Sequence, residues 1–276
     1  MILRNEVITS RSNPFVKWVC TLHSKKGREQ SNSFIAEGVK LTKEAIGAHL
    51  PVTHVIISES KKLTYLNELH ELEKRGFLNK TEVVCLSDGV FEKISTENAP
   101  QGMLAVIKYL DFFSYKDIIY KEDFFLLPDE RAIILCSVRD PSNLGAIIRS
   151  AVAFGIDRII LSEDCAELYN PKTVRSAMGS LFRVNITRVG SLIELIKVMR
   201  EVGRRVYAAE LSDSAISLAD ISLSARDCVI IGNEGHGIPE EISSKVDGSV
   251  YIPISGKTES LNASVAAAIF MWEQRK

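Results

Sequence analysis

Apolar and polar positions alternate with two different periods along this chain, and the clearer rhythm lies in its second half. Short apolar runs at Ala132 to Val138, Arg158 to Leu161, Phe182 to Val189 and Val206 to Leu211 read as strands. Between them, Asn143 to Phe154, Pro171 to Met178 and Ser191 to Val202 carry apolar residues at helical spacing. Strands separated by helices of this length pair in parallel through right-handed crossovers, so this half predicts an α/β parallel sheet. The first half predicts a smaller α/β unit. Ile35, Val39, Leu41, Ala45 and Ile46 suggest an amphipathic helix over Phe34 to Gly47, and strands are expected at His54 to Ser58, Glu82 to Leu86 and Gly102 to Tyr109. Helices are expected at Lys62 to Arg75 and Ser87 to Ile94. Between Asp111 and Arg131 the periodicity dissolves into aromatics and charges ending in Leu127-Pro128-Asp129-Glu130, as in a connection between domains. The expected division is a domain at 1–110, a linker at 111–130 and a second domain at 131–276.

Composition changes this picture little. The 276 residues are 46% hydrophobic, ample for two packed cores, and the net charge of −1 leaves no global footprint for nucleic acid. The local balance differs: from Arg4 to Lys43, eight basic residues (Arg4, Arg11, Lys17, Lys25, Lys26, Arg28, Lys40, Lys43) face only Glu6, Glu29 and Glu37, with Phe15 and Trp18 interleaved. Such a segment suits a phosphate backbone, and equally a solvated helical face. The five cysteines are widely spaced with no C-x-x-C, which indicates reduced thiols rather than disulfides or zinc. With no signal-like h-region and no run of eighteen apolar residues, a cytoplasmic protein without a membrane span is expected.

Several chemistries lack their residues. There is no G-x-G-x-x-G at a strand-to-helix turn, and the Gly256-Lys257-Thr258 triplet is no P-loop, because the position of the loop's first glycine is Tyr251. Neither G-x-S-x-G nor H-E-x-x-H occurs, and the five histidines are scattered, so no metal site is expected.

Three segments remain. Asn143-x-Gly145-x-x-x-Arg149 opens a helix, and an arginine one turn beyond a glycine is placed to clamp a phosphate or carboxylate with its forked donors. Ile231-Gly232-Asn233-Glu234-Gly235-His236-Gly237 follows an apolar run. Tyr251-Ile252-Pro253-Ile254 precedes Ser260-Leu261-Asn262-Ala263-Ser264-Val265-Ala266. Runs punctuated by glycine and proline suit a pocket floored by main chain.

In this order the three segments resemble the sequence motifs of the SpoU (TrmH) family of RNA ribose 2′-O-methyltransferases, over roughly 131–276. More loosely, Phe34-Ile35-Ala36-Glu37-Gly38-Val39-Lys40 and Pro100-Gln101-Gly102-Met103-Leu104-Ala105-Val106 are similar to the L30e-like substrate-binding domain of many members. The resemblance implies an α/β fold whose C-terminal segment forms a deep trefoil knot, with a smaller N-terminal L30e-like α/β domain. It implies S-adenosylmethionine held by the backbone around Ile231, Gly232, Asn233, Ile252, Pro253, Ile254 and Leu261. Arg149 would anchor the substrate, with Asn143, Glu234, Ser260 and Asn262 orienting the ribose. It further implies a homodimer through the last helix, where Leu261, Val265, Ile269 and Trp272 form an apolar stripe, and an RNA substrate, with large-subunit ribosomal RNA ahead of transfer RNA. A non-catalytic RNA-binding or ribosome-assembly protein of the same fold is the alternative from another class.

Overall fold

The computed structural model describes residues 1–78, 80–111, 113–116, 126–127 and 129–275. In chain order the main elements are β1 (Ile2–Ile8), α1 (Pro14–Thr21), α2 (Lys25–Ser31), β2 (Ser33–Glu37), α3 (Val39–Gly47), β3 (Val52–Ser58), α4 (Lys62–Lys74), β4 (Glu82–Leu86), α5 (Asp88–Ile94) and β5 (Met103–Lys108). They continue as β6 (Phe113–Lys116), β7 (Ala132–Leu135), α6 (Pro141–Phe154), β8 (Arg158–Ser162), α7 (Pro171–Ala177), β9 (Asn185–Val189), α8 (Leu192–Glu201), β10 (Arg205–Ala209) and β11 (Ile216–Ser217). The last are β12 (Asp227–Ile231), α9 (Glu240–Ser243), β13 (Gly248–Tyr251) and α10 (Ala263–Arg275). Two compact units result, one of residues 1–110 with 169–182 and the other of 111–168 with 183–276.

In the first unit, the sheet order is β1-β4-β3-β5-β2, parallel from β1 through β3 and antiparallel at β5 and β2. Val16, Val19 and Leu22 of the α1 region and Val90, Phe91 and Ile94 of α5 pack on Ile35, Ile56, Val84, Leu104 and Val106 of the strands. The helix expected from Phe34 begins at Val39 instead. Phe34-Ile35-Ala36 is a continuous buried run, as a two-faced strand requires, and Gly38 at φ 108 separates it from α3.

The basic stretch is folded into this unit. Arg4 pairs with Glu82 across the sheet at 2.7 Å, Lys43 with Glu68 at 2.8 Å, and the buried Arg28 donates to the Leu22 carbonyl at 2.8 Å. Three of its eight basic residues therefore serve these internal contacts.

Segment 169–182, expected in the second domain, belongs to the first unit. Tyr169 stacks between Phe34 and Tyr109, and Val174, Ala177 and Leu181 are buried.

The second unit is an eight-stranded sheet of order β11-β13-β10-β12-β7-β8-β9-β6, and every neighbouring pair is parallel. Its central strands are buried on both faces, which is why they read as unbroken apolar runs. Ile134, Ile160, Val206 and Ile230 meet Leu195, Ile196 and Met199 of α8 on one face. On the other, α10 packs against α6 and β12, and the buried Gln274 amide donates to the carbonyls of Asp227 at 2.6 Å and Ala132 at 3.3 Å. Within the expected linker, Phe113-Ser114-Tyr115-Lys116 is an edge strand paired with β9, its two-residue alternation hidden among neighbouring aromatics. The linker residues 117–125 lie outside the described residues.

The order of the strands has a functional meaning. From β7 the chain runs outward to β8 and β9, then returns to build β10 and β12 on the other side of β7. Such a reversal is where parallel α/β sheets open a crevice at their carboxyl edge.

Candidate active site

All three segments reach that carboxyl edge. After β7 the chain reaches Asp140, whose carboxylate accepts the N–H groups of Ser142 at 2.8 Å and Asn143 at 2.9 Å. With Pro141 in the first helical position, this cap starts α6 and holds Asn143 on its first turn. The glycine-rich turn emerges beside it, because β12 pairs with β7 and the Cys136 N–H continues the ladder to the Ile231 carbonyl at 2.8 Å.

Asn143 joins the segments. Its Nδ2 donates to Glu234 Oε1 in a short bond, and its Oδ1 accepts Nδ2 of Asn262 at 3.0 Å. Asn262 also caps α10, accepting the N–H of Ser264 at 2.9 Å and its hydroxyl at 2.6 Å. Residues 252–261 begin at the carboxyl end of β13 and end at this contact. Since β10 and β12 lie between β13 and β7, the segment crosses roughly 14 Å of the sheet's carboxyl edge, three strand spacings.

The turn after β12 is closed tightly. Asn233 and Gly237 exchange two main-chain hydrogen bonds of 3.0 Å, and Asn233 Oδ1 accepts the N–H groups of Gly235 at 2.9 Å and His236 at 3.2 Å. A Cβ on Gly232 would lie 2.6 Å from the Gly237 carbonyl carbon, so only glycine fits where the turn folds back.

Arg149 is exposed and has no hydrogen-bond or ion-pair partner among the described residues. Gly145 is buried, so the two do not share one open surface patch. Ser260 is exposed and contributes only its carbonyl, accepting from the Thr258 hydroxyl at 3.2 Å. Of the main-chain positions, Ile231 is buried in β12 with its carbonyl engaged; Gly232, Asn233, Ile252 and Leu261 are half-buried, and Pro253 and Ile254 exposed. From 253 to 259 the peptide groups make no hydrogen bond among the described residues. A segment whose donors and acceptors are uncommitted is a fitting reader of a nucleoside.

Thiol chemistry is unfavourable here. Burial pushes Cys136, at the end of β7, up to about 11 and raises Cys165 as well, so both stay protonated near neutrality. Ser137 and Asp164, which no motif marked, also stand at this edge; their only signal was position at the ends of β7 and β8, where ligand-binding residues of parallel sheets gather.

A wholly parallel sheet with its polar residues joined across a switch point defines an α/β protein built to bind a ligand at its carboxyl edge. Residues 130–272 match the SpoU rRNA Methylase family and 13–105 the MRM3-like substrate binding domain, and the chain belongs to the SpoU family. It is 31% identical to the 23S rRNA (guanosine(2553)-2′-O)-methyltransferase RlmP of Bacillus subtilis, over 97% of this chain and 98% of that protein. It is 27% identical to the 23S rRNA (uridine(2479)-2′-O)-methyltransferase of Streptomyces viridochromogenes, over 96% of this chain and 90% of that one. The AdoMet-bound rRNA methyltransferase of Sinorhizobium meliloti has the same fold, with a TM-score of 0.81 and 28% identity over 97% of this chain and 96% of that structure.

Proposed function

We propose that this protein methylates a ribose 2′-hydroxyl of RNA, with S-adenosylmethionine as donor and large-subunit ribosomal RNA as substrate. The observation that carries the reading is the convergence of three sequence-distant segments on Asn143 in a chain of the SpoU family. Relatives alike over nearly the whole chain, named as 23S rRNA 2′-O-methyltransferases, support the substrate.

The main chain of Ile231, Gly232, Asn233, Ile252, Pro253, Ile254 and Leu261 would hold the donor, within the knotted C-terminal segment that the family resemblance implies. When bound, the donor supplies a methyl group made electrophilic by its sulfonium. A guanidinium is a poor general base, so Arg149 serves as an anchor, gripping a neighbouring RNA phosphate with its forked donors and steadying negative charge at the ribose oxygen. Its exposure without an internal partner supports that role. Asn143, Glu234 and Asn262 form one connected set that orients the ribose, and Ser260 joins it from the exposed segment 253–260. The first unit selects the RNA.

A homodimer through α10 completes the proposal. Leu261 and Ile269 are half-buried and Val265 and Trp272 are 48% and 46% exposed, while Ala263, Ala267, Phe270, Met271 and Gln274 face the chain's own core. Val265 and Trp272 of the expected stripe are therefore left outward, while Leu261 precedes α10. No helix among the described residues is long and apolar enough to cross a membrane, and a ribosomal RNA substrate supports a cytoplasmic site of action.

The test is transfer of labelled methyl to ribosomal RNA followed by alkaline hydrolysis. Label in alkali-resistant dinucleotides is expected, since a methylated 2′-oxygen cannot assist cleavage. Label in mononucleotides overturns ribose methylation, and donor binding without transfer favours the RNA-binding alternative. Arg149→Lys should lower kcat/KM at least about tenfold, because lysine keeps the charge and loses the fork.

A further inference from the structure

A second polar cluster stands at the carboxyl ends of β7 and β8, outside the three segments. Ser137 has φ 57, the left-handed region that serine seldom adopts. Its N–H donates to Ser162 Oγ at 2.9 Å and its hydroxyl to Asp164 Oδ2 at 2.7 Å. Ser162 donates its hydroxyl to Asp164 Oδ1 at 2.7 Å, and Arg139 donates to Asp164 Oδ2 at 2.7 Å. One carboxylate thus gathers three donors: the Ser137 hydroxyl itself, Ser162, which also takes the Ser137 N–H, and Arg139.

The strained serine faces the glycine-rich turn. Its carbonyl accepts Nδ2 of Asn233 at 2.8 Å, and the same asparagine's Oδ1 takes the N–H groups of Gly235 and His236. The amide is therefore engaged at both ends, and the turn's shape depends on where the Ser137 carbonyl points. A left-handed residue other than glycine persists only where its surroundings impose it. Here Asp164 and Ser162 are those surroundings.

We propose that Asp164 is a positioning residue for the methyl-donor site: by clamping Ser137 in its left-handed conformation it aims the carbonyl that fixes Asn233 and the turn from Gly232 to Gly237. The inference rests on the functional reading above and extends it to residues outside the family motifs. Burial would raise the Asp164 carboxyl, but hydrogen bonds from Ser137, Arg139 and Ser162 outweigh it and hold the group at about 2, so the clamp is ionised across the neutral range.

The test is titration calorimetry of the full chain with S-adenosylmethionine, alongside thermal melting without ligand. Asp164→Asn should weaken donor binding about tenfold, the factor expected when roughly one strained backbone conformation is released. Adding Ser137→Gly should restore affinity to within about threefold of wild type, because glycine adopts φ 57 unaided. A purely stabilising role predicts a lower melting temperature with unchanged affinity, and that result overturns the proposal. So does a loss that glycine fails to restore. Should Asp164→Asn not fold, Ser137→Ala removes only the hydroxyl, and unchanged affinity there overturns the proposal equally. Wild-type protein that binds no donor refutes the functional reading itself, whereas wild type and Asp164→Asn binding alike refute only the positioning role.

Discussion

Asn262 donates from Nδ2 to Oδ1 of Asn143 at 3.0 Å, and this bond ties the segment leaving β13 to the helix that follows β7. With the opposite end of Asn143 on Glu234, one amide orients two loops at once. Replacing it with a carboxylate sets like charges against each other at Glu234. Asn143→Asp should reduce methyl transfer about a hundredfold, the order expected for misplaced reacting groups. Glu234→Gln added to it should recover part of the loss, since the glutamine amide can donate to the new carboxylate. A double-mutant cycle in the labelled-methyl assay checks this, and strictly additive losses would contradict the contact.

The closeness of Gly232 to the returning backbone predicts a purely steric defect. A methyl group there meets Gly237 main-chain atoms at 2.6 and 2.7 Å, which no side-chain rotation relieves. Gly232→Ala should cost about 1–3 kcal/mol of stability, read from urea unfolding, and should weaken donor binding because the turn must open. Equal unfolding midpoints for variant and wild type would contradict it.

Acid should loosen the carboxyl edge of the second sheet. Asp164 lies below its ordinary 3.8, at about 2, so the protons bound in the unfolded chain exceed those in the folded one between these values. Its stabilising contribution is complete above about pH 4 and disappears as pH falls through about 2. The side chain is 42% exposed, so solvent screens the effect. At the opposite edge, burial would raise the Asp227 carboxyl, but hydrogen bonds from Arg205 and Ser224 outweigh it and hold the group below its ordinary value, so it too contributes stability that acid removes. Urea midpoints from pH 5 to pH 2 should fall less steeply for Asp164→Asn than for wild type, and parallel curves would refute the assignment.

Charge on the outward face of α10 tests the dimer. Val265→Glu places a carboxylate on a position that does not face the core, so the single chain should fold with little change. Light scattering should then report a mass about half that of the wild type. Equal masses would show that another surface, or none, joins the copies.

What the sequence disclosed follows from burial. β7, β8, β10 and β12 are covered on both faces, so their apolar runs were unmistakable and the alternation with α6 and α8 gave the parallel sheet. Phe34 to Glu37 reads as helix in the sequence because Ile35, Val39 and Leu41 also satisfy helical spacing, and only the backbone at Gly38 separates strand from helix. β1, α1 and α2 were hidden by their charges, several of which find partners distant in sequence, such as Glu82 for Arg4. In the site, Asn143, Glu234 and Asn262 were legible through their motifs, and the structure joins them. Ser137 and Asp164 were not, because a serine in a left-handed conformation and the carboxylate that holds it leave no spacing to read.

The excursion of 169–182 into the first unit governs how the gene for this protein can be recombined. Tyr169, Val174 and Leu181 are at most 3% exposed, so their cover comes from residues encoded far upstream. A hybrid made by splicing a relative's front half at residue 110 would pair that excursion with a foreign surface and strand its apolar side chains in water. Working chimeras need junctions near 110, 168 and 183 together, and truncation at 110 alone reports on lost burial as much as on lost RNA recognition.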